Sequence, residues 1–208
     1  MIKNVIFDCG QVLVHFEPEY MVRQYVSNEA DVSLLTEVVF DRLYWDELDM
    51  GTISDKKAVS LMKKRLPKRL HELASEIYYG WIYNIPETTG MRELITYIKE
   101  KYGVKTYLLS NISKYFASHK KDVPILSLLD GYIFSSSIGI VKPSKEIYEH
   151  LLKEYDLDPT QCLFIDDRAI NIEAGKSVGI DGYVFDGSLE KLLDFLNRRL
   201  TISLNPTV

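Results

Sequence analysis

Two patterns of apolar residues alternate along the chain. The first is a set of short unbroken runs: Val5-Ile6-Phe7, Thr106 to Leu109, Gly131 to Phe134, Cys162 to Ile165 and Gly182 to Phe185. Runs this short, with no polar face, predict strands covered on both sides, as in a parallel sheet. The second pattern has apolar residues recurring every three or four positions, which predicts amphipathic helices. Met91, Leu94, Ile95, Ile98 and Tyr102 form one such face, with Gly103 as its stop. Ile147, Leu151, Leu152 and Tyr155 form another behind Ser144, a candidate N-cap. Leu189, Leu192, Leu193, Leu196 and Leu200 form a third. Strands alternating with helices predict a doubly wound parallel α/β sheet in three layers.

One region breaks the alternation. Nearly a hundred residues separate the first strand from the second, far more than one crossover helix needs. Four helical stretches are expected there: Pro18 to Val26, Val32 to Leu43, Asp55 to Leu66 and Leu70 to Tyr83. Ser54 is a good N-cap and Pro67 a good stop. The expected organisation is a core of residues 1–15 and 87–200, a helical insertion over 16–86, and a loosely held tail over 201–208.

Composition narrows the function classes. A balance of 25 basic against 30 acidic residues gives −5, unsuited to a protein whose main partner is a nucleic acid. No apolar run is long enough to span a bilayer, and Met1 to Phe7 is too short for a secretory signal. Two cysteines, Cys9 and Cys162, cannot build a disulfide framework, and buried reduced thiols favour the cytoplasm. A soluble cytoplasmic protein is expected, as monomer or homodimer.

Polar residues close the predicted strands. Asp8 follows the first, Ser110-Asn111 the second and Asp166-Asp167 the fourth, while Lys142 lies in a loop after the third. In an open parallel sheet these carboxyl ends border the ligand crevice. A strand-end aspartate alone is commonly a cap or turn former. Three together would repel unless a cation sits among them, and carboxylate oxygens suit a hard divalent ion, most simply Mg²⁺. A lysine and a hydroxyl beside that site suit a phosphoryl group, and an aspartate can be its nucleophile.

With these motifs in order, the chain resembles the haloacid dehalogenase-like (HAD) superfamily of hydrolases over nearly its whole length. Phe7-Asp8-Cys9-Gly10-Gln11-Val12-Leu13 resembles its first motif, Leu109-Ser110-Asn111 the second, Lys142-Pro143 the third, and Phe164-Ile165-Asp166-Asp167-Arg168 with Asn171 the fourth. The resemblance implies a Rossmann-like α/β/α core with a small four-helix cap inserted after the first motif. It implies a phosphoric monoester hydrolase, with a small phosphorylated molecule such as a sugar phosphate as substrate. Asp8 would become an aspartyl phosphate. Asp8, the Gly10 carbonyl and Asp167 would hold Mg²⁺, with Asp166 in or just behind that shell. Ser110, the backbone at Asn111, and Lys142 would bind phosphoryl oxygens, and Asn171 would orient its neighbours.

Gly10 departs from the family pattern. Most phosphatases of this superfamily carry there a second aspartate that protonates the leaving group and later deprotonates water. Such help is worth about 10²–10⁴-fold. Members with the same glycine nevertheless hydrolyse sugar phosphates such as α-D-glucose 1-phosphate. Candidates for a replacement are His15 and Glu17 at the hinge, and Asp46, Glu47 and Asp49 in an aromatic-rich stretch of the cap. Each is otherwise an ordinary surface residue.

Other features have blander readings. Gly175-Lys176-Ser177 lacks the first glycine of a phosphate-binding loop, since position 170 is Ile, and reads as mid-helix. Lys63-Lys64-Arg65 with Lys68-Arg69 reads as a solvated face, with steering of an anionic substrate as the alternative. Tyr44-Trp45 and Trp81 either pack the cap or line the crevice. The competing functions are a metal-free dehalogenase, a phospho-accepting receiver domain and a binding module without turnover. The Asp166-Asp167 pair opposes the first and the large insertion the second. Gly10 favours the third.

Overall fold

The structure is a computed structural model describing residues 1–201. The expected loose tail therefore lies outside the described residues, apart from Thr201, which closes the last helix.

Five strands form one sheet: β1 (Asn4–Phe7), β2 (Lys105–Ser110), β3 (Gly131–Phe134), β4 (Cys162–Asp166) and β5 (Asp181–Val184). Their order is β3-β2-β1-β4-β5, and every pairing is parallel. Strand β1 is central, and the chain runs to one side of it for β2 and β3 and to the other for β4 and β5. That reversal makes the carboxyl end of β1 the switch point, where such sheets bind ligands. Register aligns the strand ends: Phe7 is opposite both Leu108 and Ile165. Asp8, Ser110 and Asp166 thus emerge along one edge.

Helices cover both faces, as the unbroken apolar runs require. On one face Val5, Phe7, Leu108, Leu163 and Ile165 pack with α6 (Met91–Tyr102) and α11 (Leu189–Thr201). On the other, Ile6, Tyr107, Leu109 and Phe164 pack with α9 (Lys145–Glu154) and α10 (Ala169–Ser177). Gly103 ends α6 in the left-handed region with φ 66°, as its stop position implies. Edge strand β5 departs from the expected burial: its side chains are half-buried, and Val184 is exposed. Having a neighbour on one side only, it has less to pack against. Ser144 occupies the N-cap position of α9, but its hydroxyl bonds Glu146 instead of a backbone amide.

Between β1 and β2 lie α1 (Pro18–Arg23), α2 (Glu29–Val39), α3 (Arg42–Asp49), α4 (Asp55–Lys64) and α5 (His71–Gly80). They share an apolar cluster of their own around Leu35, Met62 and Ile77. The stretch expected as one helix over Val32 to Leu43 is broken. Asp41 accepts a hydrogen bond from the Leu43 amide at 2.9 Å, which caps a new helix, α3. Ser54 caps α4 as expected, accepting from the Lys57 amide at 3.2 Å.

The segments leading into and out of these helices pair through an isolated antiparallel bridge between Val14 and Glu87. The His15 amide donates to Pro86 O at 2.8 Å and the Thr88 amide to Leu13 O at 2.9 Å. Phe16, Trp45 and Trp81 meet edge-to-face or tilted at this junction, with ring centres 5.4–5.6 Å apart. Farther along, the C-terminal end of α3 is docked on α8 (Ser135–Ile138), the short helix that follows β3. There the Ser135 hydroxyl donates to Asp49 O at 2.6 Å, and the Lys114 ammonium to Gly51 O at 3.1 Å.

Candidate active site

Lys142 is the hub of the crevice. Its Nζ lies 2.8 Å from Asp8 Oδ1 and 2.7 Å from Asp166 Oδ2, and its side chain is almost wholly buried. Burial alone would lower the ammonium's pKa; the two carboxylates outweigh that and raise it. The side-chain amide of Asn111 fixes the lysine's backbone from both sides. It accepts from Lys142 N at 2.7 Å and donates to Lys142 O at 3.0 Å.

Asp166 and Asp8 have different surroundings. Asp166 is fully buried at the end of β4, and both of its oxygens are engaged. Oδ1 accepts from the Arg168 amide at 2.8 Å and from Asn171 Nδ2 at 2.9 Å; Oδ2 takes Lys142. Asp8 accepts the Cys9 amide at 2.6 Å on Oδ1, and among the described residues no protein donor reaches its Oδ2. Burial pushes Asp8 up to about 6, opposed by Lys142 and reinforced by Asp166. Asp167 is half-buried and also raised, by burial first and by the Asp166 charge second.

Asp8, Asp166 and Asp167 each offer an oxygen, all within 4.8 Å of one another. Three carboxylates face one ammonium here, so negative charge remains in a desolvated place. A hard divalent cation fits that donor set. The Gly10 carbonyl fits it too. In the small loop after β1, Gln11 N bonds Val14 O at 2.7 Å and Val14 N bonds Cys9 O at 3.1 Å, leaving Gly10's own carbonyl outside the ladder.

A cavity of ≈ 170 Å³ opens onto Asp8, Gly10, Ser110, Asn111, Lys142 and Asn171 from the sheet side. Phe16, Arg42, Trp45 and Asp49 close it from the hinge and from α3, and Arg168 lies at its edge. The site residues expected at the strand ends are therefore gathered around one space, with Asp167 beside it in the carboxylate cluster.

The five candidates for a replacement acid separate cleanly. His15, Glu17 and Glu47 do not line this cavity. Asp46 is exposed and paired with Arg42. Asp49 lines the cavity, is only 7% exposed, and has no hydrogen-bond partner for Oδ1. Burial raises its pKa to about 7; Arg42 opposes the rise, and Asp46 and Asp8 add to it.

The remaining candidates also resolve. Trp45 lines the crevice, whereas Trp81 stacks on Phe116 inside the core, 5.6 Å between centroids, and Tyr44 packs within the helical cluster. In the basic run, Lys63 pairs with Glu72, Arg65 with Asp41 and Arg69 with Asp31, giving a solvated, charge-paired face. Gly175-Lys176-Ser177 ends α10, and Gly175 is buried beside Tyr148 and Phe164. The Asn111 clamp and the burial of Asp49 had no signal in the spacing of residues.

Known proteins bear on this arrangement. The chain is 25% identical over 193 residues to a D-ribitol-5-phosphate phosphatase of Bacteroides thetaiotaomicron, covering 88% of this chain and 91% of that one. It is 25% identical over 200 residues to a sesquiterpene phosphatase of Aspergillus oryzae, covering 92% and 94%. Among solved structures, a HAD family enzyme of Bacteroides thetaiotaomicron in complex with magnesium and inorganic phosphate superposes with a TM-score of 0.68. That enzyme is 19% identical, with 92% of this chain and 99% of that one covered. The family model described as haloacid dehalogenase-like hydrolase matches residues 2–179. The chain belongs to the haloacid dehalogenase-like hydrolases.

Proposed function

We propose that the protein is a Mg²⁺-dependent phosphatase of small phosphomonoesters, sugar and sugar-alcohol phosphates foremost, working through an aspartyl phosphate on Asp8. The observation that carries this is Asp8 itself. One of its oxygens is held by Lys142 and the Cys9 amide, while among the described residues no protein donor reaches the other, and Asp8 lines the cavity. A carboxylate fixed on one side and free on the other is oriented for in-line attack.

The chain's own residues supply the rest. Asp8 attacks phosphorus, and the bond to the leaving oxygen breaks. Lys142, the Ser110 hydroxyl and the backbone at Asn111 hold the phosphoryl oxygens. Asp166, saturated by Lys142, Asn171 and the Arg168 amide, keeps the lysine aimed and stands behind the metal site. Asp8, Asp167 and the Gly10 carbonyl would hold Mg²⁺, which when bound offsets the charge gathered on the transferring group. The helices over 16–86 act as the cap, and Trp45 presents an aromatic wall. The cavity shares Arg42, Asp49, Asn111, Lys142 and Arg168 with a neighbouring cleft of ≈ 280 Å³, and a crevice of this extent suits a small phosphorylated molecule. The named substrates of the Bacteroides and Aspergillus relatives differ widely, and the ribitol phosphate is the one of matching size and polarity.

Both cysteines are free and buried, which supports a cytoplasmic setting, and no helix among the described residues is long and apolar enough to cross a membrane. A metal-free dehalogenase would leave the three clustered carboxylates with the Lys142 ammonium alone to offset them. Gly10 favours a binding module that does not turn over, and one experiment separates the two readings. Phosphate release from a panel of sugar, sugar-alcohol, nucleotide and acyl phosphates is measured with Mg²⁺ and with EDTA. Turnover that requires the metal and disappears in Asp8→Asn supports the phosphatase; folded protein silent across the panel overturns it.

A further inference from the structure

The position that usually carries the general acid is Gly10, which has no proton to give. Resting on the phosphatase reading above, the question is which other group reaches the leaving oxygen. Asp49 alone among the candidates combines burial, an unpartnered carboxylate oxygen and a place on the wall of the cavity that Asp8 also lines. Among the described residues Asp49 is the one carboxylate with a buried oxygen left without a partner, and such an oxygen is costly to keep.

Asp49 is also held in place by the core. Its carbonyl accepts from the Ser135 hydroxyl at 2.6 Å, and that same hydroxyl accepts from the Ile112 amide at 3.0 Å, next to the phosphate-binding loop. Two residues on, Gly51 adopts φ +69°, and a Cβ there would come within 2.5 Å of Ser136 O. The end of α3 therefore lies directly against the core, and a cap residue is fixed relative to the nucleophile.

We propose that Asp49 is the general acid–base of this enzyme, replacing the aspartate absent at position 10. Asp8 forms a bond to phosphorus, the phosphorus–oxygen bond to the substrate breaks, and that oxygen takes the Asp49 proton and departs as the alcohol. Water then attacks the phosphorus of the aspartyl phosphate and gives a proton to the Asp49 carboxylate. The Asp8–phosphorus bond breaks, inorganic phosphate leaves, and both aspartates return to their starting states. Charged and titratable groups facing Asp49 are Arg42 and Asp46 on its own helix, Tyr78 on α5, Asp8 after β1 and Lys142 beyond α8. Burial outweighs the cations among them and keeps the carboxyl protonated up to about pH 7.

The test compares leaving groups. An alkyl phosphate such as ribitol 5-phosphate needs a proton on its leaving oxygen; p-nitrophenyl phosphate does not. Asp49→Asn is expected to lower single-turnover cleavage of the alkyl ester by about 10²–10⁴-fold. The p-nitrophenol burst should stay within roughly tenfold of wild type, after which the phosphorylated enzyme accumulates for want of a base. Adding Gly10→Asp to Asp49→Asn should restore alkyl turnover. The Gly10 φ lies outside the left-handed region, and a Cβ there meets only Phe16 at 3.8 Å, so the rescue fits sterically. Equal losses on both esters, or no loss on either, overturn the role of Asp49 while Asp8-dependent turnover leaves the phosphatase reading intact. Absence of turnover in the wild type overturns both.

Discussion

At the scale of single residues the crevice is governed by charge balance. Among the described residues Lys142 is the only ammonium between Asp8 and Asp166, and all three side chains are largely desolvated. Removing one member of such a buried cluster strands the others, at a cost of about 3–5 kcal/mol. Lys142→Met should lose that much stability by chemical denaturation as well as its activity. Asp8→Asn, which keeps an acceptor oxygen for Lys142 and leaves that lysine paired with Asp166, should fold normally and lose turnover by on the order of 10⁴-fold or more.

Asp49 gives a prediction of the opposite kind. Its folded pKa is raised from 3.8 to about 7, so the folded protein binds this proton more tightly than the unfolded chain. Its contribution to stability is therefore best at low pH and is lost as pH rises through that window. Asp49→Asn cannot ionise and should gain on wild type between pH 4 and 7, by up to about 4 kcal/mol at the alkaline end. Paired denaturation curves at pH 5 and pH 8 check the sign. Catalysis should show the converse: wild-type cleavage of alkyl phosphates falls above about pH 7 as the acid loses its proton.

At the scale of elements, α3 is the part that joins cap to chemistry, and it is also the part least visible in the chain. Leu35, Val38 and Val39 are followed by Leu43, Tyr44, Trp45 and Leu48, an apolar series dense enough to predict one helix running on from Val32 to Leu43. The break comes from Asp41, whose carboxylate caps the next turn instead of facing solvent. Since α3 ends on the core at Gly51, Gly51→Ala should cost about 1–2 kcal/mol through its left-handed backbone, and more through the clash of its Cβ with Ser136 O. It should also slow alkyl phosphates more than p-nitrophenyl phosphate by displacing Asp49; thermal melts and paired assays read the two effects.

The strand ends, by contrast, were legible. Each buried run stops at a polar residue because the sheet's apolar layers end there, so the pattern alone puts Asp8, Ser110 and Asp166 at strand ends. What local pattern could not carry was contact across the fold. Asn111 grips a lysine 31 residues away, and only docking of α3 on α8 makes Asp49 buried while Asp46 and Glu47, three and two positions earlier, stay exposed. Edge position in the sheet likewise set the exposure of Val184, which the run Gly182 to Phe185 does not reveal.

At the scale of the whole molecule, the sheet's switch point, the inserted helices and the carboxylate cluster converge on one crevice. Holding three carboxylates together costs folding energy, and a divalent cation that binds only the folded chain returns it. At about 100 times its Kd, Mg²⁺ should add about 2.7 kcal/mol, raising Tm by roughly 5–10 °C for a domain of this size. Asp167→Asn should abolish most of that shift without lowering the metal-free Tm, because Asp167 is the half-exposed member of the three. Calorimetric scans with Mg²⁺ and with EDTA distinguish these outcomes.

The central claim is that Asp8 carries the phosphoryl group. Wild-type enzyme mixed with substrate and Mg²⁺, quenched in acid within one turnover and digested, should yield a phosphorylated peptide spanning Asp8, and Asp8→Asn should yield none. Phosphate release with no covalent phosphoryl group on that peptide, under conditions where the Asp49→Asn enzyme also fails to accumulate one, would contradict it.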